Sequence, residues 1–352
     1  MGLTQSQKSI IEKARAPGGG DLGVYLSDAA CSYLVAVIAS DLGVIGEIPA
    51  LPKKVVPFFS ASSPDDQVVC DVDFWDAFEV LVKLVPDADT YFSCLAALHK
   101  SRMKYLKILS HQKVPTMGQV GPRSLLQYGC CDDTALAAFL LWRKWLFDID
   151  NRAGQETGYL FEPIIANSIG GYPASSRKSP IRRGRDNSKG RQVDCIRGRL
   201  AYEMKIRVTI AASGQGRWQE ELDFPTDCVG SGYTPILIVL DPTPNSKLDE
   251  LIRAFENSGG SAYIGDSAWA HLEEAAGSAM SVFLEKYVRT PIQSILKATP
   301  LCLPDIVLSM DETRFAFKVS GHECSCPRVV GSQGVVNGDD LPEDIDEETP
   351  GI

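Results

Sequence analysis

Val193-Asp194-Cys195-Ile196-Arg197-Gly198-Arg199-Leu200-Ala201-Tyr202-Glu203-Met204-Lys205 holds a short apolar run, a glycine-centred turn and the start of a longer run. In that longer run, Leu200 to Ile210, even and odd positions separate. Leu200, Tyr202, Met204, Ile206, Val208 and Ile210 are apolar, whereas Ala201, Glu203, Lys205, Arg207 and Thr209 are small, charged or polar. A period of two is the mark of a strand with one packed face. Val193 to Ile196 is a second, shorter strand, and Arg197-Gly198-Arg199 folds the two into a hairpin. Asp194 and Glu203 share a face if the hairpin connection has an even number of residues. Two carboxylates then converge beside Lys205.

A row of charges on a strand is also what a solvated face looks like. The second carboxylate on the neighbouring strand is what separates this row from that background. Phosphodiester hydrolysis needs a divalent cation to neutralise the phosphate and acidify a water, and hard Mg²⁺ takes one or two carboxylates as ligands. Asp194 and Glu203 suit Mg²⁺. Lys205, two positions from Glu203, is placed to orient the attacking water or to stabilise charge developing on phosphate.

Working outward, Gln155 to Ile169 has helical spacing with an irregular start, because Pro163 is tolerated mainly in a first turn. Ser175 to Gly190 is polar and basic and is expected to be a loop. Pro235 to Leu240 is a continuous apolar run, as for a strand covered on both faces. Leu248 to Asn257 and Ser267 to Tyr287 return to helical spacing. Upstream, Leu26 to Ser40, Asp73 to Val85, Asp89 to Leu109 and Asp132 to Phe147 are expected helices between Pro- and Gly-marked breaks. Trp142 and Trp145 fall on one face of the last of these and fit core packing better than a base-stacking platform. Gly121 to Gly129 stands as a candidate loop. No internal repeat is present.

The order of helix, hairpin and buried strand, with Asp194, an eight-residue gap and then Glu203-Met204-Lys205, resembles the D-x(n)-(D/E)xK signature of the PD-(D/E)xK nucleases. Val193 stands where the usual proline would precede the aspartate. More narrowly, Glu203 to Asp227 and Gly232 to Asn245 look like the ApaLI-like restriction endonucleases.

The resemblance implies an α/β fold, a restriction-endonuclease-like core with a mixed sheet flanked by helices and a helical N-terminal region. It implies catalytic Asp194, Glu203 and Lys205, with a further acid from the preceding helix. Glu162 resembles that acid, and Glu156 competes for the place. The implied activity is Mg²⁺-dependent, sequence-specific cleavage of double-stranded DNA to 5′-phosphate and 3′-hydroxyl ends. A homodimer would cut a palindrome and work beside a cognate DNA methyltransferase in the bacterial cytoplasm. Two alternatives stand: a repair or recombination nuclease on the same core, and a DNA-binding protein on a degenerate core.

The composition shift near Asn151 divides the chain into a mainly helical region (1–150), the nuclease core with C-terminal helices (151–331) and an acidic tail (332–352). The tail is expected to be disordered, being rich in Gly, Asp and Glu with few large apolar residues.

Charge follows the same division. The net charge is -10 over 352 residues, which by itself is unlike a DNA-binding protein. Seven acids, however, crowd the C-terminal end between Asp339 and Glu348. Seven bases, Arg177, Lys178, Arg182, Arg183, Arg185, Lys189 and Arg191, crowd one stretch that holds only Asp186 as an acid. That stretch is a candidate phosphate- or guanine-contacting surface. Arg207 on the catalytic strand joins it, as do Gln215 and Arg217 in the Gly-rich loop Ser213-Gly214-Gln215-Gly216-Arg217.

No apolar run is long enough for a bilayer. The ten cysteines show no framework and fit reduced thiols. His322, Cys324 and Cys326, with Cys302 as a fourth candidate, lack the paired CxxC spacing of zinc modules and are expected to be ordinary side chains.

Overall fold

The structure is a computed structural model that describes residues 2–17, 22–60, 67–184, 186–206, 215–241, 243–244, 246–298 and 305–329, with the backbone alone for 215–217. The acidic tail, Cys302, Arg185 and Arg207 lie outside the described residues.

Helices fill the first part. They are α1 (Gln5–Arg15), α2 (Asp28–Asp41), α3 (Phe74–Leu84), α4 (Ala88–His111), the single turn α5 (Met117–Val120) and α6 (Asp133–Ser168). Side-chain oxygens of Ser27, Asp73 and Asp132 cap α2, α3 and α6 by accepting from backbone N–H groups of the first turn. α2 is buried continuously from Ala30 to Ala39, so it is a core helix covered on every side.

The helix expected to begin near Gln155 instead starts at Asp133 and runs for 36 residues with Pro163 in its interior. Proline cannot donate to the carbonyl four residues earlier. The helix continues because Ile164, Ile165 and Ala166 beyond it are fully buried, so tertiary packing overrides the local penalty. α6 passes without a break through Asn151, where the composition shifts.

The main sheet is mixed, with strands β1 (Tyr172–Ala174), β4 (Val193–Arg197), β5 (Leu200–Lys205), β6 (Thr234–Val239) and β7 (Ser261–Ile264) in that order. β1, β4 and β5 pair antiparallel, whereas β5, β6 and β7 pair parallel. A two-stranded ribbon, β2 (Arg182–Arg183) with β3 (Asp186–Gly190), occupies the stretch expected to be a loop.

The remaining helices are α7 (Gln215–Gly230), α8 (Ser246–Asn257), α9 (Asp266–Ala275), α10 (Ser278–Leu284) and α11 (Thr290–Lys297), with a π-helical turn at Glu285–Arg289. The single helix expected over Ser267 to Tyr287 is thus broken at Ala276-Gly277. A separate meander, β8 (Ile306–Met310), β9 (Arg314–Val319) and β10 (His322–Pro327), had no expectation attached to it.

Both faces of the main sheet are covered. On one side Cys195, Tyr202, Met204, Ile236 and Ile238 pack with α2, α4, α6, α9 and α10. On the other, Ala201, Leu237 and Val239 pack with Phe224 and Cys228 of α7 and Leu248, Leu251 and Phe255 of α8. β5 is therefore not a strand with one packed face, since Ala201 is as buried as Tyr202. A helical layer on each side of a mixed sheet is the result.

Trp145 is a core residue and Trp142 packs, partly buried, against it: their rings lie 4.5 and 6.0 Å from that of Phe315 in the meander. Gly121 to Leu126 forms a 3-10 segment. Cys326 is buried in the cluster around Trp145, while His322 and Cys324 are exposed. Among the described residues no three His, Cys, Asp or Glu side chains form a group able to hold a metal, so the zinc grouping is not seen there. No helix among them is long and apolar enough to cross a membrane.

Candidate active site

The hairpin turns on two residues, Gly198 and Arg199, and pairs Cys195 with Tyr202, Ile196 with Ala201 and Arg197 with Leu200. Gly198 sits at φ +60°, a conformation that a side chain disfavours. The even connection puts Asp194 and Glu203 next in line.

The ladder becomes irregular at that point. Along β1 the step from Tyr172 to Ala174 is matched by the longer step from Ile196 to Val193 on β4, as in a β-bulge. Bulges re-aim side chains beside functional sites. Asp194 Oδ2 accepts from the backbone N–H of Met204 at 2.7 Å, so its carboxylate reaches over to the strand that carries Glu203.

Lys205 ends β5 with its ammonium between two acids. Its Nζ donates to Glu203 Oε1 at 2.8 Å and to Glu221 Oε1 at 3.3 Å. Glu221 comes from α7, in the layer on the α8 side of the sheet. Glu162 comes from α6, in the opposite layer. The site thus forms at the C-terminal end of β5, where the two helical layers meet.

Electrostatics join these groups. Burial pushes the Glu162 carboxyl up to about 7, with the Glu203 charge adding to the rise and Lys205 opposing it. Burial raises Asp194 well above the usual carboxylate range, reinforced by Glu203 and Glu162. Lys205 behaves oppositely: burial alone would lower it, but Glu203, Glu221 and Asp194 outweigh burial and hold it protonated. Asp194, Glu162 and Glu203, repelling one another beside the one ammonium that Glu221 also flanks, concentrate negative charge at this end of the strand.

Of the expected residues, Asp194, Glu203, Lys205 and Glu162 are brought together. Glu156 is elsewhere, paired with Lys104 at 2.9 Å and Arg152 at 3.1 Å. Glu221 has no expectation attached to it, because it lies sixteen residues beyond Lys205 and no local pattern links the two.

The basic stretch divides. Lys178, Arg182 and Lys189 are exposed, as is Arg177. Arg183 is tied to Glu220 at 2.8 Å. Arg191 does not face outward as expected. It is 7% exposed, donates to Asp227 Oδ2 at 2.5 Å and to the Glu220 carbonyl at 2.9 Å, and lies over the Phe224 ring. Its guanidinium is committed inside because α7 presents to it the Asp227 carboxylate and, two turns earlier, the Glu220 backbone carbonyl. Gln215 and Arg217, expected in a loop, belong to the first turn of α7.

Comparison with known proteins agrees with the resemblance. Residues 70–289 match the sequence model of the family described as ApaLI-like restriction endonuclease. The chain is similar to the type II restriction enzyme ApaLI of Acetobacter pasteurianus, 44% identical over 337 residues that span 88% of this chain and 90% of the relative. No solved structure matches. A family match that covers the hairpin, α6 and α7 together, with a relative alike over nearly its whole length, fixes the assignment: the chain belongs to the ApaLI-like restriction endonuclease family.

Proposed function

We propose that this chain is a Mg²⁺-dependent endonuclease on a PD-(D/E)xK core. It cuts both strands of a specific DNA sequence and leaves 5′-phosphate and 3′-hydroxyl ends. The observation that carries this reading is the meeting of Asp194, Glu203, Glu162 and Lys205 at the C-terminal end of β5, within a chain of the restriction-endonuclease family.

Among the described residues no three acids, thiols or imidazoles gather closely enough to hold a metal between them, so the fit to a hard cation rests on two carboxylates, Asp194 and Glu203, with water completing the shell. The donor atoms are carboxylate oxygens, and the raised Asp194 and Glu162 register negative charge that the single Lys205 leaves uncompensated. Asp194 and Glu203 are the ligands, two carboxylates being what Mg²⁺ commonly takes from protein. A bound cation there supplies charge neutralisation at the phosphate and acidification of the attacking water.

The chain's own residues do the rest. The Met204 N–H fixes the Asp194 carboxylate in place. Lys205 holds its proton and directs it at the water or the phosphate oxygen. Glu162, pushed up to about 7, is suited to exchange a proton near neutral pH. Lys178, Arg182 and Lys189 on the ribbon side neutralise backbone phosphates, with Arg177 beside them.

The natural context is a homodimer that presents one such site to each strand of a palindrome, in the bacterial cytoplasm and beside a methyltransferase that protects the host.

The test is digestion of a plasmid of known sequence with and without Mg²⁺, with the ends mapped, alongside the Glu203→Ala variant. Discrete ends at one short palindrome, lost in a folded Glu203→Ala protein, are expected. Cutting confined to branches or lesions would favour the repair nuclease, and no Mg²⁺-dependent cutting would favour the non-catalytic reading.

A further inference from the structure

Glu221 is the acid at this site that neither the hairpin signature nor the family resemblance places. One of its oxygens, Oε1, lies 3.3 Å from the Lys205 ammonium. The other, Oε2, is buried and has no hydrogen-bond partner among the described residues. A buried carboxylate oxygen without a partner is costly. Its presence beside a charged lysine calls for a reason.

The reason lies in the double engagement of Lys205. Its shorter contact, 2.8 Å, is to Glu203 Oε1, an oxygen of the residue assigned to the cation. An ammonium resting on a ligand oxygen competes with the cation for the same lone pairs. Were Glu203 the lysine's sole acid, binding a cation would leave a half-buried ammonium without its partner.

Glu221 removes that conflict, because it offers a second anion to the same Nζ from a separate helix. The helix that carries it is also fixed. On α7, Glu220 holds Arg183 at 2.8 Å and Asp227 holds the buried Arg191, so Glu221 sits between two anchored turns. Its carboxylate therefore reaches Lys205 from a set position rather than from a free surface.

We propose that Glu221 is a positioning residue: it takes the Lys205 ammonium and so releases Glu203 to the divalent cation. The inference rests on the reading of Glu203 as a metal ligand. It makes Lys205 a shared group that leans on Glu203 before the cation arrives and on Glu221 afterwards. Partners one shell out from a metal typically set its affinity by about 10- to 100-fold.

A double-mutant cycle read by Ca²⁺ binding, using calorimetry on the full-length protein, tests this without relying on activity. Glu221→Gln should weaken Ca²⁺ binding about tenfold when Lys205 is present. It should change binding less than about twofold in the Lys205→Ala background, where no ammonium competes for Glu203. Glu221→Asp, which keeps the charge but withdraws it by one methylene, should bind with intermediate affinity, and it carries the same comparison if the glutamine variant does not fold.

Equal weakening in both backgrounds would mean that Glu221 itself touches the cation, and would overturn the inference. Unchanged affinity in both, with only the melting temperature lowered, would reduce Glu221 to a structural acid and overturn it as well. Glu203→Ala is the control. If that variant binds Ca²⁺ as tightly as the unaltered chain, the metal reading of Glu203 fails, and the inference falls with it for that separate reason.

Discussion

Asp194 Oδ2 accepts a hydrogen bond from the Met204 backbone N–H at 2.7 Å, which locks a half-buried carboxylate onto the strand that carries Glu203 and Lys205. One hydrogen bond does not offset the loss of water and the repulsion from Glu203 and Glu162 that raise Asp194. An ionised Asp194 therefore carries a cost in stability at this position.

Replacing Asp194 with Asn should therefore abolish cleavage and yet raise the stability of the metal-free protein by about 0.5–2 kcal/mol at neutral pH. The sign follows from linkage. A carboxyl raised above its unfolded value contributes stability below that value and loses it as pH rises. The advantage of Asn should thus shrink toward pH 4, near the unfolded value of 3.8. Urea titrations of both proteins at several pH values check this, and a less stable Asn variant at pH 7 would contradict it. Added Mg²⁺ should stabilise the unaltered protein but not the variant.

The Arg191–Asp227 pair sits under the ribbon with side chains 9% and 5% exposed, and Asp227 Oδ1 also accepts from the Gly184 N–H at 2.7 Å. Removing one member of a buried pair leaves the other charged and unpaired, a loss of about 3–5 kcal/mol. Asp227→Ala should show that loss in equilibrium unfolding. A loss below about 1 kcal/mol would mean that the pair is solvated rather than buried.

For DNA, the informative residues are those the structure leaves outward. Changing Lys178, Arg182 and Lys189 together to Ala should lower the slope of log affinity against log salt by about 0.9 for each phosphate that is no longer neutralised. Cognate and scrambled duplexes should weaken alike, unless one of these side chains reads a guanine, in which case discrimination relaxes by roughly 1–3 kcal/mol. Binding is measured over a salt series with Ca²⁺ in place of Mg²⁺. An unchanged slope would move the DNA-facing surface elsewhere.

His99 gives a pH dependence away from the active site. It is 4% exposed in α4, its Nδ1 has no hydrogen-bond partner among the described residues, and burial, aided by the Arg102 charge, lowers it to about 4. Between that value and its ordinary 6.5 the unfolded chain binds the extra proton, so stability should fall as pH drops through this window. The full effect is about 3.5 kcal/mol at roughly 1.4 kcal/mol per unit. His99→Gln should flatten the curve between pH 6.5 and 4.5, measured by denaturant midpoints. A variant with the same pH dependence would place the titrating group elsewhere.

Local pattern alone specified the hairpin and three of its chemical groups. A strand alternates with period two whatever surrounds it, so the spacing of Glu203 and Lys205 is legible, and a glycine-centred turn fixes which residue faces Glu203. The central buried strand was equally legible, because an uninterrupted apolar run such as Pro235 to Leu240 has few other uses.

Packing set what comes from a distance. Glu156 and Glu162 lie on one helix, six residues apart and on different faces, and only the packing of Ile164, Ile165 and Ala166 determines that Glu162 turns toward the site. The length of α6 across Pro163 has the same cause. Arg191 and Lys189 are near neighbours with the same charge, yet Asp227 and Phe224 draw one inward and leave the other in solvent. Glu221 reaches Lys205 from a separate helix, a contact made by the docking of α7 on the sheet rather than by any repeat in the chain. Local periodicity fixes which way a side chain leaves its own backbone, whereas what it meets there is set by the neighbours that long-range packing supplies.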